Sequence, residues 1–98
     1  MTDEKKINEL VQEELKAMCI KHNHEKFNSP HEAYAVTREE MEETIDDIEM
    51  MSKNFSLLWS SIKEDNAKKS NWIDVKDFAV MAIQELIQVA ACCDKAVR

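Results

Sequence analysis

The chain contains no glycine and a single proline, Pro30. Strands joined by tight hairpins rely on glycine, or on Asn-Gly and Asp-Gly pairs, wherever the backbone needs positive φ. Neither pair occurs here. Ala, Leu, Met, Glu, Gln and Lys, all good helix formers, are abundant instead, and an all-α fold follows. A long apolar run is missing as well. None approaches the roughly 18 residues of a membrane span, and the opening Met1-Thr2-Asp3-Glu4-Lys5-Lys6 has no apolar signal core. A soluble, cytoplasmic protein with no membrane partner is expected. Cysteine is sparse: Cys19, Cys92 and Cys93 make an odd set with two members adjacent. That is not a disulfide framework, and it suits a reducing compartment.

Acidic side chains outnumber basic ones, 20 to 13, for a net charge of -7. Such a surface repels nucleic-acid phosphate, so nucleic acid is not an expected partner. It suits metal cations, although the same charge also serves solubility alone. With 98 residues the chain makes a single domain, 1–98. A domain of this size buries a modest share of its surface, so an oligomer is expected to complete the fold.

Apolar periodicity places the helices. Ile7, Leu10, Val11, Leu15 and Met18 recur at three- and four-residue steps, predicting a helix from Thr2 or Asp3, either of which can cap it, to about Lys21. The polar stretch Lys21–Asn28 is a loop. Ser29-Pro30-His31-Glu32 marks the next start: Ser29 caps, Glu32 reaches back, and Pro30 takes the first helical position. Met41, Ile45, Ile48, Met51, Phe55, Leu58 and Ile62 form one stripe, so this helix extends to Met51 at least and toward Glu64, with Ser52-Lys53-Asn54 as the place for a break. Lys63–Asn71 is a connector. Trp72-Ile73-Asp74 opens the third helix, whose buried face is expected to be Val75, Phe78, Ala79, Ala82, Leu86, Val89, Ala90, Cys93 and Val97. The expectation is an antiparallel bundle of three to four helices.

At 100° per residue, Glu40, Glu43 and Asp47 form a stripe along one edge of the second helix's apolar arc. Glu85, with Gln88 and Cys92, borders the apolar arc of the third. Packing the two helices by their apolar faces would bring Glu40, Glu43, Glu85 and Gln88 around one point. Carboxylates so gathered repel one another unless a cation joins them. Hard oxygen ligands select Mg²⁺ or Mn²⁺, and Mg²⁺ in turn engages phosphate oxygens. The competing account is a solvated acidic helix face.

Glu39-Glu40-Met41-Glu42-Glu43 resembles the Glu-Glu-x-x-Glu element of the MazG-like all-α nucleotide pyrophosphohydrolases. Phe27–Val36 is similar to the lead-in of small MazG-like proteins, many of them phage-encoded, and Ala82–Ala91 resembles the family's second metal helix. The resemblance covers roughly residues 27–50 and 78–97. It implies Mg²⁺-dependent hydrolysis of a nucleoside triphosphate to monophosphate and pyrophosphate, in a homodimer or homotetramer. Glu40, Glu43 and Glu85 would be ligands and catalytic carboxylates, Glu39 an accessory ligand, and Gln88 the fifth metal-site position. The metal would polarise phosphate oxygens while a carboxylate orients or deprotonates the water. Two departures stand out: Gln88 occupies the position of an expected Asp, and the gap from Glu43 to Glu85 is longer than usual. They raise the alternatives of weakened activity, and of an inactive MazG-like oligomer that binds a nucleotide or a protein. A plain helical oligomerisation module is the third option.

Other residues have two readings each. His31 could contact phosphate, or simply lie in a first helical turn. Arg38 could serve a triphosphate, as could Lys53, Lys63, Lys68, Lys69 and Lys76, or it could pair with Glu42 four residues on. His22, His24 and His31 with Cys19 match no standard zinc spacing. Phe27, Tyr34, Trp59 and Trp72 suit packing more than base stacking, and Cys92 and Cys93 lack a base partner.

Overall fold

The computed structural model describes residues 3–98. They form three helices, α1 (Glu4–His22), α2 (Pro30–Lys63) and α3 (Lys69–Ala96), with no strand among the described residues. No helix among them is long and apolar enough to cross a membrane.

Each boundary has a local cause. Asp3 caps α1, its carboxylate accepting from Lys5 N at 2.9 Å; the other expected cap, Thr2, lies outside the described residues. Asn23 ends α1 at φ 55°, a left-handed conformation that Asn tolerates in place of the absent glycine. Ser29 Oγ accepts from Glu32 N at 3.1 Å, and Pro30 follows as the first helical residue. Glu32, expected to reach back to the cap, instead accepts from Asn28 N (3.2 Å) and Asn28 Nδ2 (2.9 Å). Two donors on one residue hold it better than a single N–H.

α2 has no break at residues 52–54. Asn54 points its amide back along the helix, donating to Met50 O at 2.8 Å, so the residue most able to interrupt the helix is tied to it. α3 starts at Lys69, earlier than the expected Trp72, because Asn71 Oδ1 accepts from Lys68 N (2.8 Å) and secures an additional turn.

α3 packs against both α1 and α2, while α1 and α2 do not pack against each other. α2 and α3 form an antiparallel hairpin: Phe27, just before α2, meets Lys95, and Glu43, further along, meets Glu85. The molecule is 54 Å long, close to the ~51 Å that the 34 residues of α2 span at 1.5 Å each.

The position of α3 between two partners corrects part of the expected core, while Val75, Phe78, Ala79, Ala82, Val89 and Ala90 are buried or half-buried as expected. Its α1 side carries Ala91, Ile87 and Ala90 against Val11, Leu15, Met18 and Cys19. Its α2 side carries Ala82, Cys92 and Lys95, all buried, with Glu85 and Gln88 half-buried on the same line. Leu86, Cys93 and Val97, expected to be buried, fall between these two sides and are exposed.

α2 is rotated in the same sense. Its line toward α3 runs through Glu40, Thr44, Asp47, Met51 and Leu58, all buried or half-buried. Of the apolar stripe expected to be its packing face, Met51 and Leu58 are covered, whereas Met41, Ile45, Ile48, Phe55 and Ile62 retain 39–58% of their surface. The two helices therefore meet through the acidic edges near Glu40 and Glu85 and through a part of the apolar arcs around Leu58 and Ala82. Among the described residues α2 has one neighbouring helix, which covers a single face of it.

Candidate metal centre

Glu40 and Glu43 lie one turn apart on α2, and the antiparallel hairpin sets Glu85 of α3 opposite them. One carboxylate oxygen from each of the three lies within 4.8 Å of the others. This is the convergence anticipated from the helical register. Glu40 and Glu85 are half-buried and Glu43 is exposed. The backbone beneath is secured from α2 itself, with Thr44 Oγ1 donating to Glu40 O at 2.8 Å.

Carboxylates this close cannot all ionise freely. Hydrogen bonding to Glu85 raises the pKa of Glu43 above the ordinary carboxylate value, and repulsion from Glu85, and then from Glu39 and Asp47, adds to it. Burial raises that of Glu85, reinforced by its hydrogen bond with Glu40 and opposed by the one with Glu43. Without a cation, the cluster therefore retains protons more tightly than separate glutamates would.

Gln88 joins the cluster from one turn further along α3. With its amide nitrogen turned toward the carboxylates, it donates to Glu85 at 3.2 Å and to Glu40. In this orientation both ends of the amide are matched, and a neutral donor relieves part of the repulsion. Turned the other way, the same amide presents a carbonyl oxygen to the centre of the cluster.

A cleft of about 540 Å³ opens beside the cluster. Glu40 belongs to both, and Glu39 lines the cleft from the solvent side. Its other walls come from Lys21 and His22 at the end of α1, from His24 just beyond it, and from Phe27 and Lys95. Thus Glu39, Glu40, Glu43, Glu85 and Gln88 are all at or beside one site. Arg38 and His31 are not: Arg38 Nε is held by Glu42 Oε1 at 2.9 Å on the exposed face of α2, and His31 is exposed in the first turn of α2, outside the cleft lining.

Two residues near the site had no assigned role. Cys92 is fully buried on the Glu85–Gln88 line. Burial first, and then the charge of Glu40, raises its thiol pKa, so it is a packing group and not a nucleophile. Lys95 is 3% exposed, with Nζ 4.6 Å from the centroid of the Phe27 ring. The signal for it was present in the sequence: Glu85, Gln88, Cys92 and Lys95 follow one another at steps of three, four and three, a single helical line.

All the oxygens of the cluster are hard donors on two rigid helices, a set that fits Mg²⁺ or Mn²⁺ and not a soft ion. Comparison of the chain with family models, with curated proteins and with solved structures gave no match.

Proposed function

We propose that this protein is a Mg²⁺-dependent nucleoside triphosphate pyrophosphohydrolase of the MazG-like all-α type, working as a homodimer or homotetramer in the cytoplasm. The observation that carries the reading is the meeting of Glu40, Glu43 and Glu85 carboxylate oxygens within 4.8 Å. Mg²⁺, or Mn²⁺ in its place, would be held by these three, with Glu39 as an accessory ligand and the Gln88 carbonyl available by rotation of the amide. When bound, the ion supplies charge neutralisation and Lewis acidity toward phosphate oxygens.

The chain's own groups do the rest. Glu43 is the exposed member of the three. It is the group assigned to take a proton from the attacking water at its carboxylate oxygen. The water oxygen forms the new bond to phosphorus, the bond between the α- and β-phosphates breaks, and pyrophosphate leaves. The exposed stripe Met41–Ile45–Ile48–Phe55–Trp59 supports self-association, since an apolar strip of this kind is unusual on a free monomer.

Gln88 favours a second reading. Its amide already engages Glu40 and Glu85, and as a neutral group it adds no charge to the site. A MazG-like oligomer that binds a metal-nucleotide or a protein without turnover would keep this arrangement.

One assay separates the two. Purified protein is incubated with Mg²⁺ and a panel of nucleoside triphosphates, and pyrophosphate release is followed. Turnover that disappears in both Glu40→Gln and Glu85→Gln supports the hydrolase. Mg²⁺ binding by calorimetry with no turnover on any nucleotide supports the binding protein. Neither binding nor turnover would sink both.

A further inference from the structure

We propose that Lys95 is the phosphate-binding cation of the cleft beside the carboxylate cluster, taking an oxygen of a polyphosphate ligand at its Nζ. The inference rests on the reading of the cluster as a metal site for a phosphate-bearing ligand, and it assigns the residue that holds the phosphate.

The starting point is a charge in an expensive place. Lys95 is 97% removed from solvent, and a buried ammonium costs free energy unless something compensates it. In a chain of net charge -7, an ion pair would be the ordinary solution. Yet Lys95 makes no salt bridge, and no side-chain hydrogen bond, among the described residues. The four-carbon stem accounts for the burial, and the Phe27 ring beneath Nζ supplies a cation–π contact. That contact uses one side of the ammonium and none of its three N–H donors.

No polar side-chain atom among the described residues is sealed off without a partner, and Lys95 lines two clefts, one of about 540 Å³ that it shares with Glu40 and one of about 440 Å³ that it shares with Lys26 and Arg98. The first is the one that an anion could share with the carboxylate cluster. Glu40 bounds the same cleft and is also a member of the carboxylate cluster. An anion lying there has a cation at one end and a divalent ion, held by Glu40, Glu43 and Glu85, at the other. Phosphate is the group that can serve both, since its several oxygens can be shared between an ammonium and a metal. At about 540 Å³ the cleft has the size of a small-molecule site. Lys21, His22 and His24 at its rim add donors for a second phosphate.

The test uses inorganic pyrophosphate as the probe. Its binding in the presence of Mn²⁺ is measured by calorimetry for the wild type and for Lys95→Met, which keeps the stem volume and removes the charge. Loss of one charge-assisted contact should weaken pyrophosphate binding roughly 10- to 100-fold. Binding of Mn²⁺ alone should stay within about two-fold, because the metal ligands are other residues. Equal pyrophosphate affinity in the two proteins, or none in the wild type, overturns the inference. Should Lys95→Met fail to fold, the Lys95 side-chain NMR resonances of the wild type are followed during the titration, and an unmoved signal overturns it equally. Pyrophosphate binding that depends on Lys95 but not on metal would remove the metal reading and leave this one standing. Metal binding with pyrophosphate affinity indifferent to Lys95 would do the reverse.

Discussion

The side-chain amide of Gln88 donates to the carboxylate of Glu40 across the seam between α3 and α2. It also reaches Glu85 on its own helix at 3.2 Å, so one neutral group links the two half-buried members of an acidic cluster. The cost of gathering these carboxylates is thereby reduced even before a cation is considered.

Gln88→Asp removes that donor and adds a fourth charge. The expected result is Mg²⁺ binding tighter by roughly ten-fold, since affinity of such sites follows the number of ligand charges. In chelator the same variant should melt at a lower temperature than the wild type. Calorimetry and a thermal scan on one preparation check both, and unchanged Mg²⁺ affinity would place residue 88 outside the metal's reach.

The cluster also sets a pH dependence. Glu43 and Glu85 have pKa values raised above the reference of 4.5, so the folded state binds their protons more tightly than the unfolded state does. Their contribution to stability is complete below about 4.5 and is lost as pH rises through the raised values. In chelator, the melting temperature should therefore decline as pH increases across that window. Glu85→Gln should flatten the decline, and Mg²⁺ should oppose it. A slope identical in Glu85→Gln and wild type would show that the carboxylates do not interact.

The exposed stripe on α2 makes a prediction about assembly. Under the proposed homo-oligomer, the double variant Ile45→Asp/Ile48→Asp places charge in the middle of a covered apolar strip. Sedimentation velocity should show the wild type as a dimer or larger and the variant as a monomer. A monomeric wild type, or an oligomer indifferent to the two charges, would count against assembly through this face.

Leu58 is 1% exposed and, with Ala82, belongs to the small buried set of the α2–α3 hairpin away from α1. Leu58→Ala should destabilise the protein by about 2–3 kcal/mol through lost burial and the cavity left behind. Urea denaturation followed by circular dichroism measures it, and a change below about 0.5 kcal/mol, the level of a surface substitution, would contradict the packing.

Much of this architecture was legible beforehand, for local reasons. The absence of glycine removed strands and hairpins, Ser29-Pro30 marked the start of α2, and the 100° register brought Glu40, Glu43 and Glu85 to adjoining edges. Rotation of the helices about their own axes was not legible. Periodicity identifies an apolar stripe but not whether the same chain or another molecule covers it, and here Ile45, Ile48 and Phe55 stay exposed while Thr44 and Asp47 face α3. α3 shows the related ambiguity of a helix with two neighbours, where Leu86 and Cys93 fall between the two packed sides. Lys95 was passed over because a lysine near a helix end is ordinarily a solvated charge, although its place on the Glu85–Gln88–Cys92 line was visible; its contact with the Phe27 ring is a tertiary one that the periodicity does not show.

The unequal helix lengths have a further consequence. α1 has 19 residues and α2 has 34, and the α1 partners on α3 gather at Gln84 and beyond. The tip joining α2 to α3 thus extends from the thicker end as a slender two-rod arm, secured by few interior side chains. Amide protons along residues 52–75 should exchange with solvent through local opening, while those around the acidic cluster wait for the whole fold to open. Under the proposed function, the site would lie in the part of the hairpin that α1 braces, away from the slender arm.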